Sequence, residues 1–63
     1  MNDVLVCLCT CPDRATGQRV ADALVREGLA ACVNVLPGVQ SVYRWHGVVE
    51  HAEEVLLLAK TTR

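Results

Sequence analysis

The 63-residue sequence predicts one small α+β domain, in which a single helix covers one face of a sheet. Three observations predict it. The N-terminal run is apolar at nearly every position, the next segment carries apolar residues at helical spacing, and two long extended runs meet at His46-Gly47. A chain this short has room for only one core, so we treat residues 1–63 as a single domain.

The first strand is predicted over residues 3–11, DVLVCLCTC. Because alternate residues of a strand point to opposite faces, Cys7, Cys9 and Cys11 share one face with Leu5. The other face is also apolar and consists of Val4, Val6, Leu8 and Thr10. Apolar residues on both faces are typical of a central strand that is covered on both sides.

The segment over residues 12–30 is predicted to be a helix. Asp13 is a suitable N-cap because its carboxylate can accept hydrogen bonds from the free amides of the first turn. Gly28 suits the C-terminal cap, where φ is positive. We expect Gly17 to weaken the first turns by up to ~1 kcal/mol relative to alanine. One stripe at helical spacing is predicted to face the sheet: Val20, Ala21, Leu24, Val25 and Gly28.

A second strand is predicted over residues 29–36 and resumes over 39–45. Pro37-Gly38 bends or bulges it, because proline cannot donate to the ladder and glycine relaxes the backbone. A tight turn at His46-Gly47 then leads into a third strand over residues 48–62. A right-handed crossover makes strand 1 parallel to strand 2, and the hairpin makes strand 3 antiparallel to strand 2. The helix covers only one sheet face, so the other face needs cover from elsewhere.

Composition limits the classes of function. Hydrophobic residues make up 52% of the chain and the net charge is −1. A single core in a domain below about 70–80 residues rarely supplies more than ~3–5 kcal/mol, so we expect subunits to associate. The scattered basic residues argue against nucleic-acid binding, and no apolar run approaches the ~20 residues of a membrane span. Since Asn2-Asp3 is not a basic leader, we predict no signal peptide and a cytoplasmic protein.

The four cysteines allow two interpretations. Reduced thiols are expected in the cytoplasm, and neighbours at i and i+2 on a strand lie ~6.5–7 Å apart, at or beyond the usual limit for a disulfide. A disulfide from one of the first three to Cys32 stays open. We interpret Cys7, Cys9, Cys11 and Cys32 mainly as small apolar core residues. Soft-metal binding is the alternative, since thiolates favour Cu(I) and Zn(II).

The sequence gives little support for catalysis. It shows no nucleophile–base pair at an identifiable spacing, no Gly-rich phosphate loop and no carboxylate pair in an apolar setting, so we predict that the protein is not an enzyme. His46 and His51 flank the hairpin turn and are interpreted as exposed residues. A Cu(II) or Zn(II) site built on them would need further ligands, such as Glu50 or Glu53.

Three stretches, LCTCPDRAT, LAACVNVLPGVQSVYRWHGVVE and EEVLLLAKTT, resemble those of the CutA family, the divalent-cation tolerance proteins, in the same order and spacing. The resemblance implies a ferredoxin-like βαβ(β) sheet with the helix on one face. It also implies a tight homotrimer, whose sheets pack around a three-fold axis and cover the second face. Family members continue past KTT into a second helix and at least one more strand. The resemblance therefore implies a sheet that is incomplete at the C-terminus.

The resemblance also implies a function in divalent-cation tolerance, with binding of copper or another divalent cation. A copper site of the family has been attributed to the cysteine that matches Cys9, together with histidines of the later helix. Cys9 is therefore the first candidate ligand, and Cys7, Cys11 and Cys32 are the further candidates.

An alternative function follows from the likeness of this family to the trimeric PII-type signal proteins. It is a non-enzymatic signalling or scaffolding trimer that binds a small anionic ligand in a cleft between subunits. Tyr43 and Trp45 share a strand face and are interpreted first as core or subunit-contact residues, which need partners for the hydroxyl and the indole N–H. The cleft is the alternative interpretation. With Glu50 and Lys60, they are the candidate residues of that cleft.

Overall fold

The computed structural model describes residues 3–62 and shows one sheet with one helix against it. Strand β1 spans Val4–Cys11, helix α1 spans Arg14–Arg26, strand β2 spans Cys32–Trp45 and strand β3 spans Val48–Thr62. The predicted order of strand, helix, strand and strand is confirmed. Asn2, part of the leader prediction, lies outside the described residues.

Strand β3 lies in the centre of the sheet, in the order β1-β3-β2. It is antiparallel to both neighbours, so β1 and β2 run in the same direction, as predicted. The prediction that residues 3–11 form a central strand is wrong in the sheet of the described residues, where β1 is an edge. The crossover through α1 leaves a gap between β1 and β2, and β3 fills it. Val4 and Leu8, on the face away from α1, are 70% and 65% exposed.

Helix α1 begins and ends as its caps dictate. The Asp13 carboxylate accepts a hydrogen bond from the Thr16 amide at 2.7 Å, which confirms the N-cap. The helix ends at Arg26, before the predicted residue 30, because the backbone turns at Gly28 with a φ of 73°. The next two amides, of Leu29 and Ala30, both donate to the Leu24 carbonyl. Among residues 3–62, no helix is both long and apolar enough to cross a membrane.

The stripe of α1 that faces the sheet is rotated relative to the predicted one. Gly17 is buried and Ala21 and Leu24 are half-buried. Val20 and Val25, which were predicted to face the sheet, are 36% and 45% exposed. The helix therefore packs on the sheet through its small residues and one leucine, so its backbone lies close to β3.

Gly17 is the point of closest packing between α1 and the sheet. A Cβ atom there would lie 3.3 Å from Cγ1 of Val55 and 3.4 Å from Cδ2 of Leu57. We expect Gly17→Leu to lower the free energy of unfolding by ~1–3 kcal/mol, because it overpacks this contact. Ala23→Leu, at an exposed position of the same helix, is the control and should change it by less than ~0.5 kcal/mol. Urea denaturation measures both, and equal effects of the two variants would contradict the close packing.

The long hairpin of β2 and β3 extends beyond the helix and gives the molecule a longest dimension of 45 Å. The register between the strands shifts at Pro37-Gly38, which confirms the predicted bulge. The predicted tight turn at His46-Gly47 is also confirmed, with φ values of 50° and 76°. The core consists of Cys11, Val55 and Leu57, with Val33 and Val35 packed against them. The tip of the hairpin lies away from this core, because the hairpin extends beyond the helix.

Candidate metal and ligand sites

Three of the cysteines form a row on the face of β1 that α1 covers in part. Cys7, Cys9 and Cys11 are paired with alternate residues of β3 in an unbroken register, so the prediction that they share one face is confirmed. Cys11 is only 4% exposed, whereas Cys7 and Cys9 are exposed. The reason is that α1 lies mainly over β2 and β3. The interpretation as core residues therefore holds for Cys11 and is wrong for Cys7 and Cys9 within the described chain.

Cys32 lies on the opposite face of the sheet. It pairs with Lys60, whereas Cys7 pairs with Ala59, the next residue of β3. Cys32 is exposed and all four thiols are free, so the disulfide left open for Cys32 is absent. The sheet therefore separates the four candidate thiols into a row of three and a single one. In the part of the chain that the structure describes, no group of three or more His, Cys, Asp or Glu side chains could hold a metal ion.

Cys9 and Cys11 are two residues apart on one face of β1. Burial raises the pKa of the Cys11 thiol above its ordinary value of 9.0, and the charge and hydrogen bond of Cys9 raise it further. The carboxylates of Asp13 and Glu54 act on the same thiol in the same direction. Sequence analysis identified Asp13 only as the helix N-cap and did not predict an effect of Asp13 or Glu54 on Cys11.

Tyr43, Trp45 and Glu50 come together at the tip of the hairpin. Tyr43 is directly opposite Glu50, and Trp45 is opposite Val48 on the same sheet face. The Trp45 ring also meets the His46 ring edge-on, with centroids 4.9 Å apart and an interplanar angle of 84°. Tyr43 and Trp45 are 45% and 61% exposed, so this group of side chains is open to solvent.

Lys60, the fourth candidate of the cleft, lies elsewhere. It is on the same face of β3 as Glu50, but about 33 Å further along the strand at ~3.3 Å per residue. Its neighbours across the sheet are Val6 and Cys32. Within one chain, Lys60 and the hairpin tip therefore cannot bind the same small ligand.

The two histidines have different surroundings. His51 lies with Glu53 on one face of β3, and Glu50 lies on the other. His51 borders an open depression of about 260 Å³, lined by Gln40, His51, Ala52 and Glu53. His46 is in the turn, against Trp45. Of the two carboxylates that could assist a histidine metal site, only Glu53 shares the face of His51.

A family model described as CutA1 divalent ion tolerance protein matches residues 5–63. The chain belongs to the CutA1 family. The divalent-cation tolerance protein CutA of Thermus thermophilus is 53% identical over 57 residues, which cover 90% of this chain and 55% of that protein. The chloroplastic protein CutA of Arabidopsis thaliana is 47% identical over 57 residues, which cover 90% of this chain and 31% of that protein.

Solved CutA structures share the fold. The divalent cation tolerance protein of Thermus thermophilus superposes with a TM-score of 0.85 at 52% identity, over 98% of this chain and 58% of that one. CutA of Xylella fastidiosa gives a TM-score of 0.93 at 47% identity, over 95% of this chain and 58% of that one. The predicted α+β arrangement, with one helix on one face of the sheet, is thereby confirmed. The chain spans about half the length of the curated CutA relatives it matches.

Proposed function

We propose that this chain acts in divalent-cation tolerance, the function that the names of its CutA relatives state. The observation that carries the proposal is the family match over residues 5–63, nearly the whole chain. Copper or another divalent cation is the proposed ligand, and exposed Cys9 is the first candidate to bind it. Residues 3–62 offer no group of three metal-binding side chains. Further ligands for a divalent ion would therefore come from outside residues 3–62 of one chain.

We also propose that the functional unit is a homotrimer. The supporting observation is the sheet face away from α1, where large apolar side chains are exposed: Val4, Val6, Leu8, Leu36, Tyr43, Trp45 and Val48. An apolar face of this extent is typical of a surface that another protein covers. Sheets of three subunits that pack through this face would remove it from water.

A second candidate is a non-catalytic signalling or scaffolding trimer that binds a small anionic ligand between subunits. The observation that favours it is the exposed group of Tyr43, Trp45 and Glu50 at the hairpin tip, to which Lys60 of the same chain does not belong. Because one chain keeps them about 33 Å apart, only a neighbouring subunit could bring the lysine to the hairpin tip. The free thiols suit a reducing compartment, so we propose a cytoplasmic location for either function.

The test is growth in elevated copper of a strain that lacks its own CutA protein and expresses this chain. We expect the chain to restore growth and Cys9→Ser to abolish the restoration, because the substitution removes the exposed thiol. Cys32→Ser, on the opposite sheet face, is the matched control and should restore growth. If the parent chain gives no growth at equal expression, the tolerance function is wrong. If Cys9→Ser restores growth fully, the signalling or scaffolding function gains support.

A further inference from the structure

We propose that the tip of the β2–β3 hairpin binds a small organic cation that carries a methylated ammonium group. The site consists of Tyr43, Trp45 and Glu50, which lie together on the sheet face away from α1. The inference goes beyond the proposed function, because the site needs the side chains of one chain only and no metal ion.

Two aromatic side chains form the apolar part of the site. Tyr43 and Trp45 are two residues apart on β2, so they project from the same face with Cα atoms ~6.5–7 Å apart. They are 45% and 61% exposed, and the rings are therefore open to a ligand. The Trp45 ring meets the His46 ring edge-on, with centroids 4.9 Å apart, which limits its rotation. Because the face of an aromatic ring attracts positive charge, two neighbouring rings favour a cation.

The charges around the rings have the sign that a cation requires. Glu50 lies directly opposite Tyr43 in the antiparallel ladder, a position where Cβ atoms are ~4.5–5.5 Å apart. Arg44 lies on the other face of the sheet, and Lys60 is about 33 Å from Glu50 along β3. Within the described chain, no lysine or arginine therefore lies on this face of the tip. A cation can bind to one chain here, whereas an anion would need the lysine of a neighbouring subunit.

The scarcity of oxygen ligands selects the class of cation. Hard metal ions such as Ca²⁺ take six or more oxygen ligands, and residues 3–62 contain no group of three metal-binding side chains. A primary ammonium group is strongly hydrated and needs acceptors for three N–H donors. A quaternary ammonium group has no N–H donor, so one carboxylate and two aromatic faces are enough to hold it.

The Glu50 carboxylate also distinguishes the tip from the rest of the same sheet face. Around Leu8 and Leu36 that face exposes aliphatic side chains, which suit a dry contact between subunits. At the tip, such a contact would bury the carboxylate without a partner, which is strongly destabilising. The tip is therefore the part of this face that subunit packing suits least, and a cationic ligand would neutralise its charge.

The test is a titration of the full chain with choline chloride, followed by tryptophan fluorescence. Trp45 is the one tryptophan of the sequence, so the signal reports on this site alone. Choline chloride replaces sodium chloride at constant ionic strength. We expect a saturable change with a dissociation constant on the order of millimolar, because cation–π contacts at exposed sites are weak. The control ligand is the neutral isostere of choline, with a tert-butyl group in place of trimethylammonium, and it should cause no saturable change.

Variants of the chain separate the contributions of the ring and the carboxylate. Tyr43→Leu and Glu50→Gln should each weaken choline binding by about 2–5-fold, the effect of one exposed cation–π contact or one exposed charge pair. Glu54→Gln is the matched control, because Glu54 shares the face of Glu50 but lies ~13 Å away along β3. It should bind choline as the parent does. Circular dichroism checks that the three variants have the fold of the parent.

Four results would overturn the site. A parent chain without a saturable change does not bind the cation, and equal affinities for choline and its isostere would show an apolar surface without recognition of charge. A Glu50→Gln chain that binds like the parent would remove the role of the carboxylate. A saturable change with sodium phosphate but not with choline would assign the tip to an anion, as in the second candidate function. None of these results affects the copper growth test, so the tolerance function is judged separately.

Discussion

Leu57→Ala is expected to lower the free energy of unfolding by ~2–5 kcal/mol. Leu57 is 1% exposed and forms the core together with Cys11 and Val55. Its Cδ2 atom also lies below Gly17 of α1, so truncation leaves a cavity between the helix and the sheet. A single core of this size rarely supplies more than ~3–5 kcal/mol in total, so the variant should lose most of its folded population.

Urea denaturation followed by far-UV circular dichroism measures this loss. All samples need the same protein concentration, because association makes the apparent stability depend on concentration. Leu29→Ala is the matched control, since Leu29 is 60% exposed beyond the end of α1 and the same atoms are removed. It should change the free energy of unfolding by no more than ~0.5 kcal/mol. Similar losses in the two variants would show that the core does not depend on Leu57.

Features that depend on near neighbours in sequence could be predicted. Asp13 caps the amide of Thr16, three residues away, and His46-Gly47 reverses the chain by its own backbone conformation. The order of the strands could not be predicted in this way. It depends on pairs such as Cys11 with Val55, and a hydrophobic pattern does not specify which strands lie side by side.

The face of α1 that packs on the sheet shows a different limit. Hydrophobicity alone favoured a stripe that includes Val20 and Val25, yet both are substantially exposed. Gly17 was expected only to weaken the helix, whereas it allows the helix backbone to approach Val55. A hydrophobicity scale does not describe how closely two backbones can approach. It therefore could not indicate that Gly17, because it has no side chain, is the helix residue that packs against the sheet.

The arrangement of the candidate metal ligands could be predicted only in part. The two-residue period of a strand was enough to place Cys7, Cys9 and Cys11 on one face. Their exposure depends on where α1 lies, and the opposite placement of Cys32 depends on its register with Lys60. The distance from Lys60 to Glu50, in contrast, follows directly from their separation along one strand. It could therefore have been predicted from the sequence.

Leu8→Asp is expected to abolish formation of the proposed trimer while the chain stays folded. Leu8 is opposite Leu58 on the sheet face away from α1 and is 65% exposed in the single chain. A carboxylate there remains in water as long as the subunit is alone, so the fold tolerates it. Once three sheets pack through this face, the same carboxylate becomes a buried charge without a partner, which costs ~3–5 kcal/mol at each copy.

Sedimentation equilibrium at micromolar concentration distinguishes these states, since the parent should have three times the subunit mass and Leu8→Asp the mass of one subunit. Ala23→Asp, on the exposed side of α1, introduces the same charge away from the sheet and should remain trimeric. Circular dichroism must show the same helix content in all three proteins. A parent that is folded and soluble as a single subunit would remove the trimer, and with it the ligand cleft that needs Lys60 from a neighbour. A trimeric Leu8→Asp variant would instead place the contact between subunits on another surface, because an unpaired carboxylate could not remain at a buried contact without that cost.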